Sequence, residues 1–144
     1  MKNEKLKRIC IIDGQGGGIG ATLVKYLRMF YGERVELVAL GTNAIAASAM
    51  LKAGATQCAS GENAIQIAVE QADCIAGPVA ITWPNSMMGE VTTDIARAIT
   101  SSPAPKVILP ISQENVILVG FAKEPLPHLV QEAVNKIREI ISSV

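Results

Sequence analysis

Short apolar runs alternate along the chain with stretches of helical periodicity, the pattern of a parallel sheet covered by helices on both faces. The first run is Arg8 to Asp13, and a helix is expected from Gly18 to Tyr31. Ile19, Leu23, Tyr26, Leu27 and Phe30 share its apolar face, with Thr22, Lys25 and Arg28 opposite. Val35 to Leu40 reads as a second strand. Thr42 or Asn43 then caps a helix that turns Ile45, Ala49 and Met50 inward and ends at Gly54. Further strands are expected at Thr56 to Ala59, Asp73 to Ala76 and Lys106 to Ile111, with Val116 to Phe121 as an antiparallel edge strand. The intervening helices span Glu62 to Gln71 and Ser86 to Ser101, the second burying Met88, Val91, Ile95, Ala98 and Ile99. A last helix follows Pro125-Leu126-Pro127 and buries Leu129, Val130, Ala133, Ile137 and Ile140.

The turn between the first strand and first helix is Asp13-Gly14-Gln15-Gly16-Gly17-Gly18-Ile19-Gly20. Five glycines in this stretch remove Cβ atoms where a strand hands over to a helix, so a pyrophosphate can reach main-chain N–H groups at the helix start. Gly16, Gly18 and Ala21 fit the dinucleotide spacing G-x-G-x-x-G/A. Gly14, Gly18 and Gly20 instead fit G-x-x-x-G-x-G, a spacing similar to the loop of short-chain dehydrogenases. The expected fold is therefore α/β: a single Rossmann-like three-layer domain over residues 1–144, its sheet of five or six strands mostly parallel. A Rossmann strand order turns the glycines toward Gly77 to Asn85, whereas a flavodoxin-like order brings Ser60-Gly61-Glu62-Asn63 beside them.

The rest of the crevice is chemically sparse. An NAD site ordinarily has an acidic side chain at the end of its second strand to hold the ribose hydroxyls. Here that strand ends Leu40-Gly41-Thr42-Asn43, and Glu36 lies near its beginning. Thr42 and Asn43 can still meet a ribose or phosphate, although capping the next helix explains them equally well. A short-chain dehydrogenase needs Tyr-x-x-x-Lys, but Tyr26 is followed at that spacing by Phe30 and Tyr31 by Val35. There is no G-x-S-x-G turn, and the sole histidine, His128, sits among prolines at a helix start. Asn85 and Ser86 offer either a cap for the fourth helix or polar contacts across the crevice, with Glu90 beside them, while Asp13 can support the glycine loop through its N–H groups.

Composition narrows the partners. Thirteen basic and thirteen acidic residues balance, and only five side chains are aromatic, so neither a nucleic acid nor an anionic membrane is an expected partner. The lysines before the first strand resemble a signal-peptide start, but the apolar run ends at Asp13. Cys10, Cys58 and Cys74 lack metal-ligand spacing and read as small buried hydrophobes in a reducing cytoplasm.

The segments DGQGGGIG, ALGTNAIAASAMLKAGA, GENAI, NSMMGE and EPLPHLV together resemble a bacterial family catalogued as domain of unknown function 3842. That resemblance spans nearly the whole chain, implies a small stand-alone cytoplasmic protein, and transfers no catalytic residue. The expected activity is binding of a nucleotide, NAD or NADP among the candidates, by Gly14, Gln15, Gly16, Gly17, Gly18, Ile19 and Gly20. Thr42, Asn43, Gly77, Asn85 and Ser86 are the expected additional contacts. A binding module that senses the nucleotide, a small enzyme on a nucleotide, sugar phosphate or carboxylate, and a ligand-free homo-oligomer are the classes left; self-association suits all three.

Overall fold

The computed structural model describes residues 5–121 and 123–142. Its sheet has five strands: β1 (Arg8–Asp13), β2 (Glu36–Gly41), β3 (Gln57–Ser60), β4 (Cys74–Pro78) and β5 (Lys106–Leu109). They run in the order β3-β2-β1-β4-β5, all parallel. This is the Rossmann arrangement, with the chain reversing direction across the sheet at β1 and β4. The flavodoxin-like alternative is excluded because β3 pairs with β2, and β1 with β4.

Period-two alternation sorts the strand residues between two cores. Ile9, Ile11, Leu37, Ala39, Cys74 and Ala76 face the layer formed by α1 (Gly18–Tyr31), α2 (Ala44–Lys52) and α5 (Leu126–Ile141). Cys10, Ile12, Val38, Leu40 and Ile75 face α3 (Glu62–Val69) and α4 (Thr93–Ser101). Burial in the core pushes the Cys10 and Cys74 thiols up to about 12, so both stay protonated and inert. No helix among the described residues is long and apolar enough to cross a membrane.

Three expectations change. The fourth helix begins at Thr93, not Ser86. Val79–Thr82 forms a short 3-10 turn, and residues 84–90 continue as turns in which Asn85, Met87 and Met88 take left-handed conformations. Side chains favour such geometry only as isolated turn residues, so a helix cannot start there. Thr92 is the cap, its Oγ1 accepting from the Ile95 N–H at 3.1 Å, and Met88 lies 95% exposed.

Secondly, Val116 to Phe121 is not a strand. Pro110 removes an N–H just past β5, and Gly120 at φ 93° breaks the extended backbone, leaving Ile117 and Val119 almost fully exposed. Thirdly, the inward faces of two helices rotate. In α2 the buried residues are Ala46, Ala47 and Met50, with Ile45 outside; in α1 Tyr31 rather than Phe30 is buried.

Gly77 is required by packing between β4 and β1. A Cβ there would collide with the Ile12 carbonyl oxygen and meet Ile81 Cδ1 at 2.8 Å. Gly77→Ala should therefore destabilise the protein by about 1–3 kcal/mol in urea denaturation through overpacking; an unchanged midpoint would contradict this tight approach.

Candidate functional site

The glycine turn sits at the carboxyl end of β1, and a buried carboxylate shapes it. Asp13 is 3% exposed; its Oδ1 accepts from the Gly14 N–H and its Oδ2 from the Gly20 N–H, each at 2.7 Å. One side chain thus ties the end of the strand to the first turn of α1, satisfying a helix N–H that has no partner within the helix. Burial pushes the Asp13 carboxyl above its ordinary value, and the N–H bonds from Gly20 and Gly14 oppose that rise. The Gly17 N–H closes the turn on the Gly14 carbonyl at 2.9 Å.

The five glycines divide into two sets. Gly17 lies at φ 75°, and a Cβ on it would come within 2.8 Å of Ala46 Cα. A Cβ on Gly14 would meet Met87 Sδ at 2.6 Å, and one on Gly20 would meet Met50 Sδ at 2.5 Å. The fold needs Gly17, for its left-handed backbone against α2, and Gly20, where Asp13 Cβ also lies within 2.9 Å, whereas a Cβ at Gly14 would displace the side-chain ends of Thr42, Met87 and Glu90. The close approach of helix to strand falls at Gly20, in the G-x-x-x-G-x-G register. Gly16 and Gly18 are different: both are exposed, neither has a positive φ, and a Cβ on either would find nothing within 4 Å. Among the described residues their N–H groups meet no acceptor.

A hollow of about 190 Å³ opens beside them, walled by Gly14 to Ile19, by Pro78 at the end of β4 with Ala80 and Met87 beyond it, and by Ile111 to Glu114 after β5. The β5 wall was not anticipated, because it becomes a neighbour only once β5 is known to lie beside β4. Larger hollows lie elsewhere. One of about 700 Å³ adjoins the opposite, amino edge of the sheet, where Glu36 and Gln71 hold the Arg8 guanidinium at 2.6 and 2.7 Å. Its Arg8, Glu36, Gln71 and Asp73 groups are tied to one another, whereas the glycine turn carries open donors.

The remaining expected contacts are distributed unevenly. Asn43 caps α2, its Oδ1 accepting from the Ala46 N–H at 2.8 Å, and its amide donates to the Gln15 carbonyl at 3.0 Å. Thr42 stands beside it at the end of β2. Gly77 lies inside the sheet and does not line the hollow. Ser86 is buried with its hydroxyl donating to the Ala80 carbonyl at 2.5 Å, and Asn85 is exposed on the turn outside the hollow. His128 faces solvent near Glu124, 3.5 Å away, far in sequence from the turn. No cluster of His, Cys, Asp or Glu among the described residues is arranged to hold a metal.

Glu90 holds the most connected position. Its Oε1 accepts from the Gln15 N–H at 2.8 Å, the Thr42 hydroxyl at 2.7 Å and the Asn43 amide at 2.8 Å. Partial burial alone would raise its pKa, but the three donors outweigh burial and hold the carboxyl below its ordinary value. Sequence placed this residue beside the glycines without showing that it joins them to the end of β2.

The fold and this turn define a Rossmann-like parallel α/β protein with a glycine-rich connection after its first strand. The family model described as Domain of unknown function (DUF3842) matches residues 8–142, and the chain belongs to that family. No curated protein matches the chain.

Because its folded pKa is lowered, Glu90 stabilises the fold fully above the unfolded value of roughly 4.3 and loses that contribution as pH falls through the folded value. The stability of the wild type relative to Glu90→Gln should hold steady from about pH 7 downward and shrink only below roughly pH 4.3. Urea titrations across that interval test this; a difference that grows on acidification would reverse the assignment.

Proposed function

We propose that this protein binds a nucleotide through the turn 14–20, with phosphate oxygens accepting from the Gly16 and Gly18 N–H groups, and that it acts as a binding module responding to that nucleotide. One observation carries the reading: Gly16 and Gly18 are glycines that neither backbone conformation nor packing requires, and their N–H groups stand open at the start of α1. A missing Cβ with open space around it costs the chain conformational entropy without serving the fold. Close approach of an anion to the main chain supplies the reason, and the N-terminal end of the helix dipole favours negative charge there.

The dimensions limit how the nucleotide lies. The hollow toward β4 and β5, about 190 Å³, is below the roughly 300–1,000 Å³ of sites that enclose a whole small molecule. It suits a phosphoryl group and the start of a sugar. A nicotinamide riboside of NAD or NADP would require residues 111–114 to move aside. Ser86 is committed to Ala80 and the two core thiols are held protonated, which favours binding over nucleophilic chemistry.

Thermal unfolding with NAD, NADP, FAD, coenzyme A, ATP and ADP added separately tests the proposal. A ligand at about one hundred times its dissociation constant should add about 2.7 kcal/mol of stability. Gly18→Asp should remove that gain by filling the approach and adding like charge. Gly18→Ala, at a position with ordinary φ, should fold at least as stably as the wild type, by about 0.4–1 kcal/mol. A ligand response that survives Gly18→Asp unchanged would place the phosphate elsewhere.

A further inference from the structure

We infer that Glu90 supplies the sugar-hydroxyl acceptor that β2 itself lacks, so that the site selects a nucleotide whose ribose carries free 2′ and 3′ hydroxyls and rejects one phosphorylated at the 2′ position. This inference rests on the nucleotide reading above.

In a Rossmann sheet, the ribose next to the phosphates lies over the ends of β1 and β2, where a carboxylate accepts from its hydroxyls. Here β2 is followed by Thr42 and Asn43, neither acidic. The turn after β4 brings an acid to the same place from the other side of β1. Three donors converge on Glu90 Oε1: one from the glycine turn and two from residues just past β2. They fix the carboxylate in the notch between those two elements. Its second oxygen, Oε2, accepts no hydrogen bond among the described residues, and the residue is only partly buried.

An anchored carboxylate with one free oxygen suits a hydroxyl donor. Uncharged groups anchor it, so it keeps its charge, in keeping with its lowered pKa. No lysine or arginine pairs with it among the described residues. A 2′-phosphate would therefore bring two or so negative charges against a fixed third, with buried Asp13 behind the turn adding to the repulsion. A plain ribose offers O–H donors instead, and hydrogen bonds to a charged acceptor are among the stronger ones.

Glu90 also ties the turn at 84–90 to the glycines, so loss of binding in a variant would not separate recognition from support. The ratio of affinities does. Isothermal titration of the full chain, wild type and Glu90→Gln, with NAD, NADP, AMP and 2′,5′-ADP reads that ratio directly. The wild type should bind NAD and AMP at least about tenfold more tightly than their 2′-phosphorylated counterparts, NADP and 2′,5′-ADP. Glu90→Gln should reduce that preference to about threefold or less, by weakening NAD and relieving the repulsion of NADP. Should Glu90→Gln fail to melt cooperatively, Thr42→Val removes one anchor while leaving the charge, and should reduce the preference in part. Equal affinity of the wild type for NAD and NADP, or an unchanged ratio in a folded variant, overturns the role of Glu90 and leaves nucleotide binding standing. Binding of none of the four ligands overturns both.

Discussion

A single buried carboxylate organises the glycine turn at the carboxyl end of β1. Asp13 ends the central strand, and its two oxygens are taken by the N–H groups of the first and last glycines of the turn. A charge held at 3% exposure is costly unless it is hydrogen-bonded, and here the backbone itself supplies the partners. The same contact fixes where α1 starts and how closely it lies on β1. It also divides the N–H groups of the turn. Gly14 and Gly20 are bound from within, and Gly16 and Gly18 are left pointing away from any protein acceptor.

A second carboxylate works on the same turn with the opposite electrostatic character. Burial dominates at Asp13 and raises its pKa, whereas three donors dominate at Glu90 and lower it. Between them they hold the turn from below and from the side of β2. On the proposed nucleotide reading, two acids this close to the glycine turn make the total charge of the ligand matter as much as its shape. The open donors favour an anion, and the flanking acids restrict where a second anionic group can go.

Much of the fold was legible because its signals are local. β1 and α1 have the expected limits, since an apolar run, a cluster of glycines and an amphipathic stretch follow one another without competition. Asn43 as a helix cap was equally readable. Residues 86–92 misled because their apolar spacing continues that of α4, while left-handed Asn85, Met87 and Met88 cannot be recognised from periodicity. The branched residues of Val116 to Phe121 have strand propensity, but propensity carries no information about whether an edge will accept a partner. The position of Glu90 was the hardest to anticipate. Its bond to Gln15 joins residues 75 apart, and it follows only from the strand order and the path of a turn.

The placement of β1 in the middle of the sheet has a consequence for how the chain assembles. Its neighbour on one side, β2, arrives soon after it, but on the other side Arg8 hydrogen-bonds to Asp73, 65 residues later, and Ile9 pairs with Cys74. Until β4 is in place, the central strand presents a bare edge while the β1–β2–β3 half is already able to form. Closure of that long loop costs more chain entropy than local pairing, so the edge of β1 that β4 covers is the one whose protection depends on the most distant contact.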